Sequence, residues 1–465
     1  MSRFLDMTSA SDEEFSSYGQ AVAVAPEPAP APSRSKSVPR HLRPEFYKPF
    51  HGIMMVYLFL YCSRVPELIP SLHLGLLLQP LLLIGMIMTR TQKSIFNSDI
   101  GRLMTAFTIW IGICVPFSVW KGGSFGTFEL TAQALVLLFF MAAFIRSVED
   151  CFRAMYVVAL SMGVIGILSL VVGGGKLHDK TRLGLGTGGD TLADANFLAL
   201  YLVVGVPFII FSMTRKKGFT RLMLFLLLIP VLAGFSRTGS RMGVLALGAG
   251  MLLFFIFASA VERMAILIGG ILFISLAVSL LPQNLVDRFT TYFQADSSAA
   301  AEAAASAQFR KALFIRSLWL SIEHPVFGVG PGEFMDAEAS EAAEQGKRGL
   351  WHYTHNSYTE LSSETGIPGV TLFLLAFWRA YKGLTPIRNR FRFSRVGRGA
   401  LFLQIAVLMS AIGAFFLSIA YSGLLYAILG ISAAYQLAAA KEARAMDEAA
   451  AARAAADIEP QPALA

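Results

Sequence analysis

Apolar runs separated by short polar stretches fill the chain from residue 50 to residue 281 and return from residue 357 to residue 438. A bilayer-spanning helix needs roughly 20 mainly apolar residues, and about twelve stretches approach that length. They fall near residues 50–63, 72–88, 103–120, 127–145, 154–172, 195–213, 219–234, 242–259, 264–281, 357–378, 400–420 and 421–438. The pattern predicts an all-α polytopic membrane protein of about 12 transmembrane helices with one large external helical loop. The first and last pairs of runs are short enough to form re-entrant hairpins instead. A disordered cytoplasmic tail is expected over 1–48, a transmembrane bundle over 49–281, a loop with amphipathic helices over 282–355, further transmembrane helices over 356–438 and a cytoplasmic tail over 439–465. Within the loop, Leu313, Phe314, Leu318 and Ile322 recur at helical spacing and predict one apolar face, suited to lying along the membrane surface.

Composition strengthens this picture, since 55% of the 465 residues are hydrophobic and only 15% are charged, outside the range of ordinary soluble domains. A net charge of +8 would suggest nucleic acid for a soluble protein, but here the placement of the cations accounts for it. Arg34, Lys36, Arg40, Arg43 and Lys48 precede the first run, and Arg90, Lys93 and Arg102 follow the second. Arg215, Lys216, Lys217 and Arg221 form a third group, and Arg379, Lys382, Arg388, Arg390, Arg392, Arg395 and Arg398 a fourth. By the positive-inside rule these loops and both termini are cytoplasmic, and the 282–355 loop is external. The partners expected on this ground are membrane lipids, with no nucleic acid. The first 48 residues are polar and proline-rich and show no signal-peptide core. Cys62, Cys114 and Cys151 are too scattered for a disulfide framework or thiolate metal site and read as packing residues.

The external segments carry the candidate chemistry. A glycine-rich stretch holds Arg182 and leads to Asp194 and Asn196, residue types that cap helices. Arg237 and Arg241 sit one helical turn apart at the outer end of a run. That spacing suits a bidentate grip on phosphate oxygens, and equally suits snorkelling to headgroups. Arg310 and Lys311 lie near the start of the loop helix. The segment from His324 to Phe334, HPVFGVGPGEF, reads as a tight turn rather than a nucleotide loop, because no GK[ST] follows it and no strand precedes it. His355 and Asn356 open the next run, which contains Glu360 and Glu364. A histidine there is a cap, a surface group or a base, whereas acids inside an apolar run face a cavity or a partner.

Taken together, these elements resemble the O-antigen ligase and Wzy-type polymerase family of bacterial envelope glycan assembly. That family has an HPxFGxGxGxF turn, matched by His324 to Phe334, then a histidine with Asn, Ser or Gln, matched by His355 and Asn356, then a GxxG step, matched by Gly366 and Gly369. Its Ser-Arg step matches Ser240 and Arg241, with Ser236 and Arg237 in register as a second candidate, and the arginine before its turn matches Arg310. Its Arg, Gly-rich, Asn-Pro-Asn loop resembles Arg182 to Asn196, although Asp194, Ala195 and Asn196 stand where Asn-Pro-Asn is usual.

The resemblance implies a glycosyltransferase-C-like enzyme of the bacterial inner membrane, without cofactor or metal, that takes glycan from an undecaprenyl-diphosphate carrier on the periplasmic face with inversion. It implies His355 as the base and Arg241 and Arg310, with Arg182 and Arg237 as lesser candidates, as the diphosphate grip. Asn356, Glu360, Glu364 and Asn196 would support them. The acceptor would be another glycan, a lipid A core or a protein, and a chain-length regulator is a conceivable partner. A transporter of polysaccharide or lipid-linked sugar is the competing reading, and a structural scaffold a third, which would leave the arginines unused.

Overall fold

The computed structural model describes residues 44–68, 74–172, 182–186, 191–280 and 298–458, all within one compact unit, His41–Ala465. Most of the expected N-terminal tail, most of the glycine-rich stretch before Asp194, the first part of the long loop and the C-terminal tip lie outside the described residues.

No strand occurs among the described residues. The longer helices are α1 (Pro44–Ser63), α2 (Leu74–Met88), α3 (Asp99–Cys114), α4 (Lys121–Phe144), α5 (Val148–Val171), α6 (Ala195–Arg215), α7 (Gly218–Thr238), α8 (Arg241–Phe257), α9 (Ala260–Leu280), α10 (Ser298–Glu323), α11 (Phe334–Glu344), α12 (Ser357–Arg390), α13 (Arg395–Phe416) and α14 (Gly423–Ile458). Each predicted apolar run falls on one of them. By length and composition 7 are able to cross a membrane: α3 with the turn after it, α4, α5, α6, α7, α13 and α14. Of the other runs, those on α2 and α8 make shorter apolar helices, and α12 carries Glu360, Glu364, Arg379 and Lys382 along its length. Among the described residues 7 helices are thus long and apolar enough to cross a membrane, and the remaining runs of the roughly twelve expected lie on helices that are shorter or carry more charge.

Burial separates inner from outer helices. α6 is apolar on every side and is enclosed by α5, α7, α8 and α13, with Leu198, Leu200, Leu202, Val203 and Phe208 buried, as an all-round hydrophobic helix must be. α7 leaves Leu222, Phe225, Leu226 and Ile229 exposed, and α8 leaves Val244, Leu245, Leu252 and Ile256 exposed. Contiguous apolar surface of that extent belongs against lipid. Small residues let the inner helices approach closely: a Cβ on Gly166 of α5 would stand 2.9 Å from the Val231 backbone nitrogen of α7. Cys62, Cys114 and Cys151 are free and buried, in line with a packing role.

The loop helix forms as α10, but its buried face differs from the one the spacing suggested. Leu313, Ser317 and Leu320 are buried, whereas Leu318 and Ile322 are exposed together with Ile315 and Trp319. α10 is apolar on two sides, and the side chosen is the one that meets Val329, Phe334 and Ala337 in a small separate core. Arg316 of α10 and Glu341 of α11 form an ion pair that joins the same two helices.

Candidate functional site

Three helix N-termini bound the site, each closed by a side chain chosen for the purpose. Asp194 caps α6, accepting from the Asn196 amide at 2.7 Å and the Phe197 amide at 3.2 Å. Ser240 caps α8, accepting from the Gly243 amide at 3.3 Å. Asn356 caps α12, accepting from the Tyr358 and Thr359 amides at 2.9 and 3.2 Å. Short polar side chains at these positions satisfy donors that a helix start cannot.

The caps are cross-linked. Arg182 donates through Nη2 to Asn196 Oδ1 at 2.8 Å and through Nε to the Thr238 carbonyl at 2.8 Å. Ser240 donates to the same Asn196 oxygen at 2.9 Å. Arg182, Asn196 and the Ser240–Arg241 step are thus one hydrogen-bonded unit, in which Arg241 is half-buried as the first residue of α8. Arg237 is exposed on the last turn of α7, and its backbone carbonyl accepts from the Leu183 amide.

His355 stands at the junction of this unit with α10. Its φ of 53° is left-handed, a conformation a non-glycine residue keeps only where its surroundings enforce it. Thr354 supplies the restraint on one side, donating to the Asn356 carbonyl at 2.9 Å and pairing with the Ser418 hydroxyl at 3.1 Å. On the other side Phe309 of α10 packs edge-on against His352, ring centres 4.9 Å apart, which sets the next residue, Arg310, beside His355. Burial first, and then the Arg310 guanidinium, lower the His355 pKa to about 4, with His352 adding to the effect and Asp194 opposing it. The ordinary imidazole value is about 6.5. Burial and packing beside an arginine thus make this histidine more acidic than an ordinary one. It is therefore neutral at pH 7.

The glycine-rich turn between α10 and α11 is fitted against the start of α12. The Val329 and Gly330 amides donate to the Ser363 and Glu364 carbonyls at 2.8 and 3.0 Å. Gly328 has φ 68°, and a Cβ there would come within 2.2 Å of the Glu364 carbonyl carbon. Gly366, also at φ 68°, breaks α12 where a Cβ would meet the Val326 carbonyl oxygen at 2.0 Å. Phe327 is stacked on Phe117, with centroids 4.0 Å apart.

Both acids of α12 are buried behind His355. Glu364 accepts from the Gly332 amide at 2.9 Å, the Phe334 amide at 3.2 Å and the Tyr421 hydroxyl at 2.7 Å. Glu360 lies beside the Ser418 hydroxyl, and its Oε2 is buried without a hydrogen-bond partner. The structure thus brings His355, Arg310, Asp194, Arg182, Asn196 and the Ser240–Arg241 step together, and sets Glu360 and Glu364 in the scaffold beneath.

Sequence reasoning missed two groups. Asp194 was recognised as a cap but not as the carboxylate facing His355, a relation between distant segments that spacing cannot show. Glu333, inside the turn, is 2% exposed. Burial, then the neighbouring Asp336 and Glu364, raises its pKa to about 7. An acid within an otherwise glycine-rich turn was the available signal. Glu323, His324 and Glu341 also bring ligand atoms within 4.8 Å of one another, but Glu341 is engaged by Arg316.

Fold and site together define a multi-pass, all-helical membrane protein with a cationic, histidine-bearing site where helix ends meet. Residues 228–374 match the family model described as O-antigen ligase, which supports the resemblance to the O-antigen ligase and polymerase family of membrane enzymes. That segment contains Arg237, Arg241, Arg310, the glycine turn and His355. No curated protein matches the chain.

Replacing Glu364 by Ala leaves the buried Phe334 amide and the half-buried Gly332 amide without an acceptor and is expected to cost about 3 kcal/mol. Glu364→Gln keeps an acceptor oxygen and should cost less. Thermal melts in detergent check this, and equal midpoints for Glu364→Ala and the unaltered protein would contradict the clamp.

Proposed function

We propose that the chain is an O-antigen ligase- or polymerase-type glycosyltransferase of the bacterial inner membrane. It takes glycan from an undecaprenyl-diphosphate-linked donor on the periplasmic face and passes it, with inversion and without a metal, to a hydroxyl of the acceptor. The observation that carries this reading is the convergence of a neutral imidazole with guanidinium groups: His355 beside Arg310 and Asp194, next to the Arg182–Asn196–Ser240 unit.

The chemistry follows from charge. The acceptor oxygen forms a bond to the anomeric carbon as the bond from that carbon to the diphosphate oxygen breaks. The hydroxyl proton passes to a ring nitrogen of His355, and the departing lipid diphosphate takes the electron pair. Arg310 and Arg241, with Arg182 and Arg237 in support, oppose the charge that grows on the diphosphate, and guanidinium geometry allows two hydrogen bonds to one phosphate. Asn356 and Asn196 hold the helix starts from which these groups project. Glu360 and Glu364 support from below.

A ligase and a polymerase share this chemistry and differ in acceptor. Deleting the gene and resolving surface glycans on a gel separates them: single-repeat chains on the core mark a lost polymerase, and glycan left on the lipid carrier marks a lost ligase. Unaltered surface glycan would remove the proposal.

His355→Ala is expected to lower transfer about a thousandfold in a protein that still folds, and Arg241→Lys and Arg310→Lys about tenfold or more each, since charge is kept but the fork is lost. Near-normal product from His355→Ala would exclude it as the base. Addition of a chelator should leave the rate unchanged; loss of activity restored by a divalent ion would assign a metal to Glu323, His324 and Glu341 instead.

The pH profile has a sign. Protonation of His355 removes the base, so the rate falls towards acid. With the free-enzyme pKa lowered to about 4, the acid limb of kcat/KM should lie near pH 4 rather than near the ordinary value of about 6.5. Bound diphosphate offsets the Arg310 charge, so the limb of kcat should lie higher. Coincident limbs in the two profiles would show that the diphosphate does not sit against Arg310.

A further inference from the structure

At the far end of α6 from the candidate site, α5 and α6 enclose a second cavity of about 60 Å³, lined by Phe152, Arg153 and Tyr156 of α5 and by Ser212, Arg215 and Lys216 at the end of α6. We infer that this cavity binds the phosphodiester of an anionic membrane lipid, in the leaflet on the side of the basic loops.

The volume admits more than water, which needs about 15 Å³ on the same measure. One side chain in it lacks a partner. Buried serines elsewhere in the bundle donate to the carbonyl one turn back, as Ser161 does to Val157, Ser410 to Ala406 and Ser432 to Ile428. Ser212 is 4% exposed and its hydroxyl makes no hydrogen bond. A buried hydroxyl left in that state is unfavourable, and a phosphate oxygen in the cavity would accept from it.

The charges fit one negative group. Arg215 holds both oxygens of Glu149, at 3.0 and 2.9 Å, and lies 4.1 Å from the centre of the Phe152 ring. Arg153 donates to Asp150 at 3.1 Å. Lys216 has a ring as its neighbour rather than a carboxylate, 5.0 Å from the Tyr156 centroid. Three cations thus meet two carboxylates, and the positive charge that remains matches a monoanionic phosphodiester. Basic pockets between membrane helices are apt for such headgroups.

Surroundings decide for a lipid over a free anion. α7 packs against both α5 and α6, and its first turns leave Phe219, Leu222 and Met223 exposed, with Phe225 and Ile229 continuing the apolar track along the helix. A phosphate seated among Arg153, Ser212 and Lys216 would have its acyl chains beside that track.

The test uses the full-length protein in nanodiscs of phosphatidylglycerol or of phosphatidylcholine, read by native mass spectrometry and thermal melting. One phosphatidylglycerol should stay bound per chain and the melting midpoint should be higher in that lipid. Arg153→Gln and Lys216→Gln should each weaken retention about fivefold, and Ser212→Ala, which removes only the unpartnered hydroxyl, should weaken it without lowering the midpoint in phosphatidylcholine. Equal phosphatidylglycerol retention by the Arg153→Gln, Lys216→Gln double variant and the unaltered protein would overturn the inference. So would inorganic phosphate reproducing the full protection in phosphatidylcholine discs, since the ligand would then be a soluble anion.

Discussion

A single buried carboxylate holds the candidate site together. Glu364 accepts from two amides of the glycine turn and from the Tyr421 hydroxyl in the segment between α13 and α14. An amide buried without an acceptor is costly, so the carboxylate adds to the backbone bonds from Val329 and Gly330 in holding the turn against α12. The turn in turn presents Val329 and Phe334 to Leu313 and Leu320 of α10, and the position of α10 sets where Arg310 meets His355. The path from Glu364 to Arg310 is one of contacts, reinforced where α10 meets α12 directly through the Ser321 and Ser362 hydroxyls, 2.7 Å apart. An acid in an apolar run suggested a residue facing a cavity or a partner, and its partners are the glycine turn and Tyr421.

The same packing decides the electrostatics of His355. Burial and the neighbouring guanidinium both disfavour the imidazolium, so the ring is held ready to take a proton at neutral pH but with little affinity for one. An anion bound between His355 and Arg310 would reverse part of that bias. Proton affinity and anion occupancy are then linked through one arginine, a coupling that requires no movement of the backbone.

Much of the fold was legible in the residues, because bilayer length leaves a long apolar run few alternatives to a helix, and each of the predicted runs does form one. Which runs are apolar enough to cross was less legible: α12 carries Glu360 and Glu364 in its first turns and Arg388 and Arg390 in its last. The face of α10 was misread for a related reason. Helical spacing reveals that a side is apolar but not what it meets, and α10 has an apolar side for its own small core and another that stays exposed. At the candidate site, motif spacing singled out His355, Arg310 and Arg241 as candidates, whereas the bond from Arg182 to Asn196 and the facing of Asp194 to His355 join segments far apart in sequence.

Three helix starts converge on the site, and a helix start attracts anions through its free amides and dipole. Here the nearest amides are already taken by Asp194, Ser240 and Asn356. Asp194 goes further, placing a negative charge at the start of α6 that would repel a diphosphate. The dipoles therefore contribute a background potential rather than a binding cradle, and an anionic group needs side-chain cations to hold it. Arg182 is tied to a capping unit and Arg241 is part of one instead of projecting from loops; in the proposed reaction, guanidinium groups fixed on capped helix ends would keep their direction as charge builds on a leaving group. A fixed cation needs no reorganisation at that moment. On the proposed function, the rigidity of the caps and the charge stabilisation asked of the arginines are one requirement.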